Sequence, residues 1–225
     1  MTKSLLISIQ PQHLLKVLNG DKTYEVRKVV PKWVLEALER GETVEAYLYC
    51  TKGGQALSSR FKTVENGSEL YYTLFHDRRL PYMKILNGTI PVKVVIDGYV
   101  KYVDCSDCTN NENGYECQND FMYLLSVDPV LRKATCLTSD EIEDYGNGKD
   151  LYALHISKVE VLDEVMELGE FYKTIHYPKT SEYMTPHICE YKNVIKAYCG
   201  NQDDCLKSFE LKRPPQSFMT VWVKS

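Results

Sequence analysis

Read along the chain, hydrophobic and polar positions fall into short blocks with distinct periods. Leu5 to Ile9 is an apolar run suited to a buried strand. Leu14, Val17 and Leu18 then recur at helical spacing. Pro11 suits the first position of that helix, because its fixed φ and missing N–H cost nothing there. Gly20 is placed to close it in a left-handed conformation. Thr23 to Arg27 reads as a second strand, with Thr23, Glu25 and Arg27 on one face and Tyr24 and Val26 on the other. A second helix is predicted from Pro31 to Gly41, with Trp33, Val34, Leu35 and Leu38 as its apolar side. From Thr43 to Cys50 the pattern alternates: Val44, Ala46, Leu48 and Cys50 oppose Glu45, Tyr47 and Tyr49. That predicts a half-buried strand.

Residues 52–90 carry turn signals at Gly53-Gly54, Asn66-Gly67 and Asn87-Gly88, and are expected to be loops and insertion, with Glu69 to Phe75 open to a strand or a helix. Ile90 to Val103 is the longest β signal, with Asp97-Gly98 either dividing it or marking a bulge. Asp128-Pro129 opens a turn or short helix. Thr138 and Glu141 have the spacing of a capping box for a helix ending at Gly146. Leu151 to Ser157 reads as a strand, residues 163–172 as a loop with a helical turn, and Ser217 to Val223 as a closing strand. The predicted class is α+β, in one domain over residues 1–225, with insertions at 52–90, 104–122 and 174–206.

Composition changes this picture little. Of the 225 residues, 44% are hydrophobic and 26% charged, the balance of an ordinary globular chain. No apolar run approaches a membrane span, so no membrane partner is expected. Eight cysteines without a secretory leader pattern point to reduced thiols in a cytoplasm. Cys105, Cys108 and Cys117 resemble half of a zinc site, and His187, Cys189, Cys199 and Cys205 form a second possible ligand set. Zinc is therefore the candidate cofactor, and an acidic insertion without metal is the alternative. Seventeen tyrosines against six phenylalanines suit half-wet packing, and also stacking on bases.

Charge distribution says more than the net charge of −4. Residues 1–40 carry +3, residues 207–225 carry +3, and the stretch between them −10. A protein that coats nucleic acid through bulk charge is excluded; a small basic patch formed by the two ends is not.

Lys22, Glu25 and Arg27 lie within six residues. Spacing alone favours a solvated strand edge. The functional alternative is a ligand site, with Arg27 as a planar fork for phosphate, Lys22 as a point charge and Glu25 as an acceptor for base or amide N–H groups. Arg213-Pro214-Pro215-Gln216-Ser217 is a rigid polar segment from which Arg213, Gln216 and Ser217 can hydrogen-bond a ligand.

The stretch Gly20-Asp21-Lys22-Thr23-Tyr24-Glu25-Val26-Arg27, after a strand and a short helix, resembles the signature of the ASCH family, a branch of the PUA-like fold. Ser8-Ile9-Gln10-Pro11 resembles the family's Ser-Ile-Lys-Pro, with Gln10 in place of lysine. Leu154-His155-Ile156-Ser157, Glu170-Phe171-Tyr172 and residues 212–218 look like blocks of its phage and prophage branch. The resemblance implies a partly open β-barrel with short flanking helices. It also implies RNA or nucleotide binding in a cleft beside the first helix. In that cleft Gln10, Lys22, Tyr24, Glu25, Arg27, His155, Arg213, Gln216 and Ser217 are the candidate site residues. One branch of similar fold hydrolyses N-acetylated cytidine with a threonine three residues after the lysine. Glu25 stands at that position here, so a nucleoside amidohydrolase or ribonuclease is the second reading. A phage-encoded protein-interaction factor is the third.

Overall fold

In a computed structural model the described residues are 2–64, 67–76, 84–102, 129–173 and 211–223. They form an α+β fold with a mixed seven-stranded sheet, a three-stranded sheet and four short helices. The chain runs β1 (Thr2–Ile9), α1 (Pro11–Leu18), β2 (Tyr24–Arg27), α2 (Lys32–Glu39) and β3 (Val44–Cys50). A hairpin, β4 (Ala56–Val64) and β5 (Gly67–Phe75), is followed by β6 (Lys84–Ile85) and β7 (Ile90–Tyr102). Then come α3 (Pro129–Thr135), α4 (Ser139–Gly146), β8 (Leu151–Met166), a 3-10 turn (Leu168–Glu170), β9 (Phe171–Lys173) and β10 (Phe218–Val223).

The large sheet has the order β2-β8-β7-β3-β1-β10-β9 and stays open, with β2 and β9 as its edges. β1 and β3 pair in parallel, Leu5 opposite Ala46 and Ile9 opposite Cys50. α1, β2 and α2 fill the crossover that a parallel pair requires. β10 lies antiparallel on the free side of β1, so the closing segment returns beside the first strand.

The main core is built from Leu5, Ile7 and Ile9 of β1, Leu14 and Val17 of α1, Val34 and Leu38 of α2, and Val92, Val94 and Ile96 of β7. The helices follow the predicted period, and Gly20 takes φ +78°. There the N–H of Gly20 donates to Val17 O and that of Asp21 to Lys16 O, which closes α1 in a Schellman motif. The predicted capping box is present: Thr138 Oγ1 accepts from the Glu141 N–H, and the Glu141 carboxylate accepts from the Thr138 N–H.

Three expectations differ from what is observed. β3 is buried on both faces rather than one, because Tyr47 and Tyr49 pack into a second core with Phe171, Leu211 and Val221. A half-buried strand becomes a central one when β9, β10 and residue 211 cover its tyrosine face. In the stretch expected as loops and insertion, β4 and β5 form a long hairpin, so Glu69 to Phe75 is strand, and β4 also pairs with β6. β8 continues past Ser157 to Met166, into the start of the expected loop, because β7 supplies a partner along that length. Asp97-Gly98 lies at a register shift inside one continuous β7, which decides for the bulge. All of 104–122 and 174–206, with the two cysteine sets, lies outside the described residues.

Candidate functional site

The site grows from the end of α1. The Schellman closure turns Lys22 inward, where it is buried. Its Nζ donates to Thr135 O at 2.8 Å and lies 3.4 Å from Glu25 Oε2. β2 is an edge strand held on one side by β8, with Arg27 opposite Tyr152. Thr23 N donates to Ala134 O, which ties the start of the strand to α3. Glu25 and Arg27 share a face of β2, as the alternation requires, and Arg27 Nη2 lies 2.6 Å from Glu25 Oε1.

Arg27 joins this cluster to both ends of the chain. Nη2 donates to Ser8 O at 2.7 Å on β1, and Nη1 to Ser217 Oγ at 3.4 Å beside β10. Ser8 Oγ donates to Pro215 O, and Ser8 N donates to Ser217 O. The two basic termini therefore meet, at one arginine.

Beside the cluster is a half-open cavity of about 910 Å³. Of the candidate residues, Gln10, Lys22, Glu25, Arg27, Gln216 and Ser217 line it. Arg213 instead lines a second cavity next to it. Tyr24 and His155 stand outside both: they face each other across β2 and β8 at 4.8 Å between ring centroids, and His155 Nδ1 pairs with Asp97 Oδ1 at 2.6 Å. Strand alternation is the reason, since Tyr24 must point away from Glu25 and Arg27.

Sequence reasoning missed His13, which lines the first cavity from α1. The available signal was its position three residues after Gln10, on the same helical face. Its Nδ1 is buried with no hydrogen-bond partner among the described residues, as is Nε of Arg27. Burial and the charge of Lys22 push the His13 imidazole below its ordinary value, against the opposing pull of Glu25. Burial pushes the Glu25 carboxyl up, but Arg27, Lys22 and His13 together outweigh it and hold Glu25 below the usual range.

These contacts restrict the chemistry. Glu25 is ionised, with one oxygen facing Arg27 and the other facing Lys22, which makes it a poor proton acceptor. Lys22 is engaged with a carbonyl and a carboxylate, and the residue three positions after it is Glu25, which has no hydroxyl. What the cluster offers is a fixed guanidinium, an imidazole and two amide side chains around a cavity. Among the described residues no group of His, Cys, Asp and Glu is arranged to hold a metal ion. No described helix is long and apolar enough to cross a membrane.

No family model matches this chain, and no curated protein matches it. Among solved structures it is similar to ASCH from Zymomonas mobilis, with 13% identity, 73% of each chain covered and a TM-score of 0.41. It is also similar to a mutant of ZmASCH from the same organism, with 12% identity, 98% of this chain and 88% of that one covered, and a TM-score of 0.45.

Proposed function

We propose that the cavity beside α1 binds a nucleotide, as a free molecule or as part of an RNA, in the manner of an ASCH-type domain of the PUA-like fold. The observation that carries this is the convergence of β1, β2 and the segment before β10 on Arg27, at the wall of a nucleotide-sized cavity. Arg27 and Lys28 meet phosphate. Gln10, His13 and Gln216 offer hydrogen bonds to sugar and base edges. Glu25 acts as the fixed counter-charge that holds Arg27 in place. This differs from a role in which Glu25 reads the base, since both its oxygens face cations. The binding reading is preferred to hydrolysis for the same reason.

The test is a titration of labelled RNA hexamer and of uridine monophosphate, at several salt concentrations. Salt-sensitive binding that weakens about tenfold or more in Arg27→Gln is expected, since an arginine–phosphate contact is charge-assisted. Circular dichroism checks that the variant is folded. Binding that Arg27→Gln and Gln216→Ala both leave unchanged places the ligand elsewhere. Release of cytidine from its N-acetylated form, or cleavage of the RNA, would promote the hydrolase reading.

A further inference from the structure

The first cavity has a neighbour of about 530 Å³, and the two share Ser8, Thr51 and Gln216 as a common wall. The second is lined by Lys52, Lys212 and Arg213, against one carboxylate, Glu167. The turn after it, Leu168–Glu170, is held by the Glu170 carboxylate, which accepts from the Glu167 N–H at 2.7 Å. Lys212 and Arg213 are exposed, yet the segment carrying them is anchored on both sides. Before them Leu211 is buried, with its N–H donating to Phe171 O at 2.9 Å. After them the rigid Pro214-Pro215 pair is held by Ser8 Oγ on Pro215 O at 2.7 Å. Cations presented from a fixed backbone lose less entropy on meeting an anion than cations on a loose loop.

We infer that the two cavities form one track for a single-stranded oligonucleotide, with one nucleotide in the first and the phosphates of its neighbours over Lys52, Lys212 and Arg213. The inference rests on the nucleotide reading above and extends it. A mononucleotide fills one cavity and places no phosphate on the exposed Lys212 and Arg213 of the second. Consecutive phosphates on one chain supply both, and the shared wall is where such a chain crosses. A duplex fits less well: two separate hollows divided by a wall suit a flexible strand whose bases can turn inward.

The test compares a fluorescein-labelled uridine hexamer with uridine monophosphate on the intact protein. The wild type is expected to bind the hexamer more tightly. The double variant Lys212→Ala, Arg213→Ala is expected to lower hexamer affinity about tenfold more than monophosphate affinity, and to reduce the salt slope of hexamer binding by about 1.4, at roughly 0.7 per lost phosphate contact. Equal wild-type affinity for hexamer and monophosphate overturns the track and leaves the nucleotide reading standing. So does a double variant that weakens both ligands alike. A duplex of the same length bound as tightly as the single strand, or polyglutamate competing as well as the hexamer, also overturns it. Binding of neither ligand by the wild type ends both readings.

Discussion

Two contacts between lysine and glutamate, one exposed and one buried, behave differently. On the outer face of α2, Lys32 and Glu36 lie 3.3 Å apart with side chains 89% and 47% exposed. At the start of β2, Lys22 and Glu25 lie at nearly the same separation, 3.4 Å, but are 3% and 9% exposed. Water screens the first pair, and either partner can be lost at little cost. The second is almost wholly withdrawn from solvent. Each charge there is kept by the others, by Thr135 O and by Ser8 O. Similar residue types at similar distance thus give decoration in one place and a constraint on architecture in the other. The constraint is what holds Arg27 still at the cavity.

The largest break in this comparison is Glu25→Ala. It leaves Lys22 and Arg27 buried without their counter-charge, and a loss of about 3–5 kcal/mol is expected in urea unfolding. Glu25→Gln, which keeps the shape, is expected to cost less and to loosen Arg27, read as weaker nucleotide binding. A loss under 1 kcal/mol for Glu25→Ala would mean that water reaches the cluster.

Acid probes the same cluster in two windows. The folded Glu25 carboxyl lies below its ordinary value, so its contribution is present above the unfolded value, about 4.3, and is lost as pH falls through the folded value. His13 is also lowered, so the unfolded chain takes up that proton first. Stability is full above about pH 6.5 and declines as pH drops from there toward the folded value. Lys16, Lys22, Glu25 and Glu141 are the charged groups acting on the ring. Urea midpoints from pH 7.5 to 5 are expected to fall in the wild type and to flatten in His13→Gln; equal slopes would remove His13 from the account.

A smaller effect is expected at the rim. Thr138→Ala removes the cap of α4, which presents Glu141 and Tyr145 to the cavity, and a loss of about 1 kcal/mol in the same assay is expected. The smallest is Lys32→Ala at the exposed pair, within about 0.5 kcal/mol of wild type. The order of lysine and glutamate on that helix is also the weaker one. If Lys32→Ala cost as much as Glu25→Ala, burial would not be what separates the two settings.

Local chemistry dictates a good part of this molecule. Pro11 and Gly20 bound α1, Thr138 and Glu141 cap α4, and the alternation from Thr23 to Arg27 puts Glu25 and Arg27 on one face with Tyr24 on the other. Each follows from backbone sterics or a hydrogen bond within a few residues, so the sequence is sufficient to read it. Strand pairing is another matter. Nothing local in Tyr47 or Tyr49 says that Phe171 and Leu211 will cover them, and nothing in 151–166 says that β7 will extend β8 to Met166. The candidate site divides in the same way. Lys22, Glu25 and Arg27 are visible as a motif, but whether they are a wet edge or a buried cluster depends on β1 nearby and on α3 and residues 215–217, which arrive from far along the chain. Arg213 and Arg27 flank neighbouring cavities rather than sharing one, and His155 turns to Asp97, for the same reason. Sequence fixes which way a side chain leaves its own strand; only the packed fold decides what it meets there, because Thr135, Pro215 and Ser217, which close over the cluster, lie more than a hundred positions from the residues they bind.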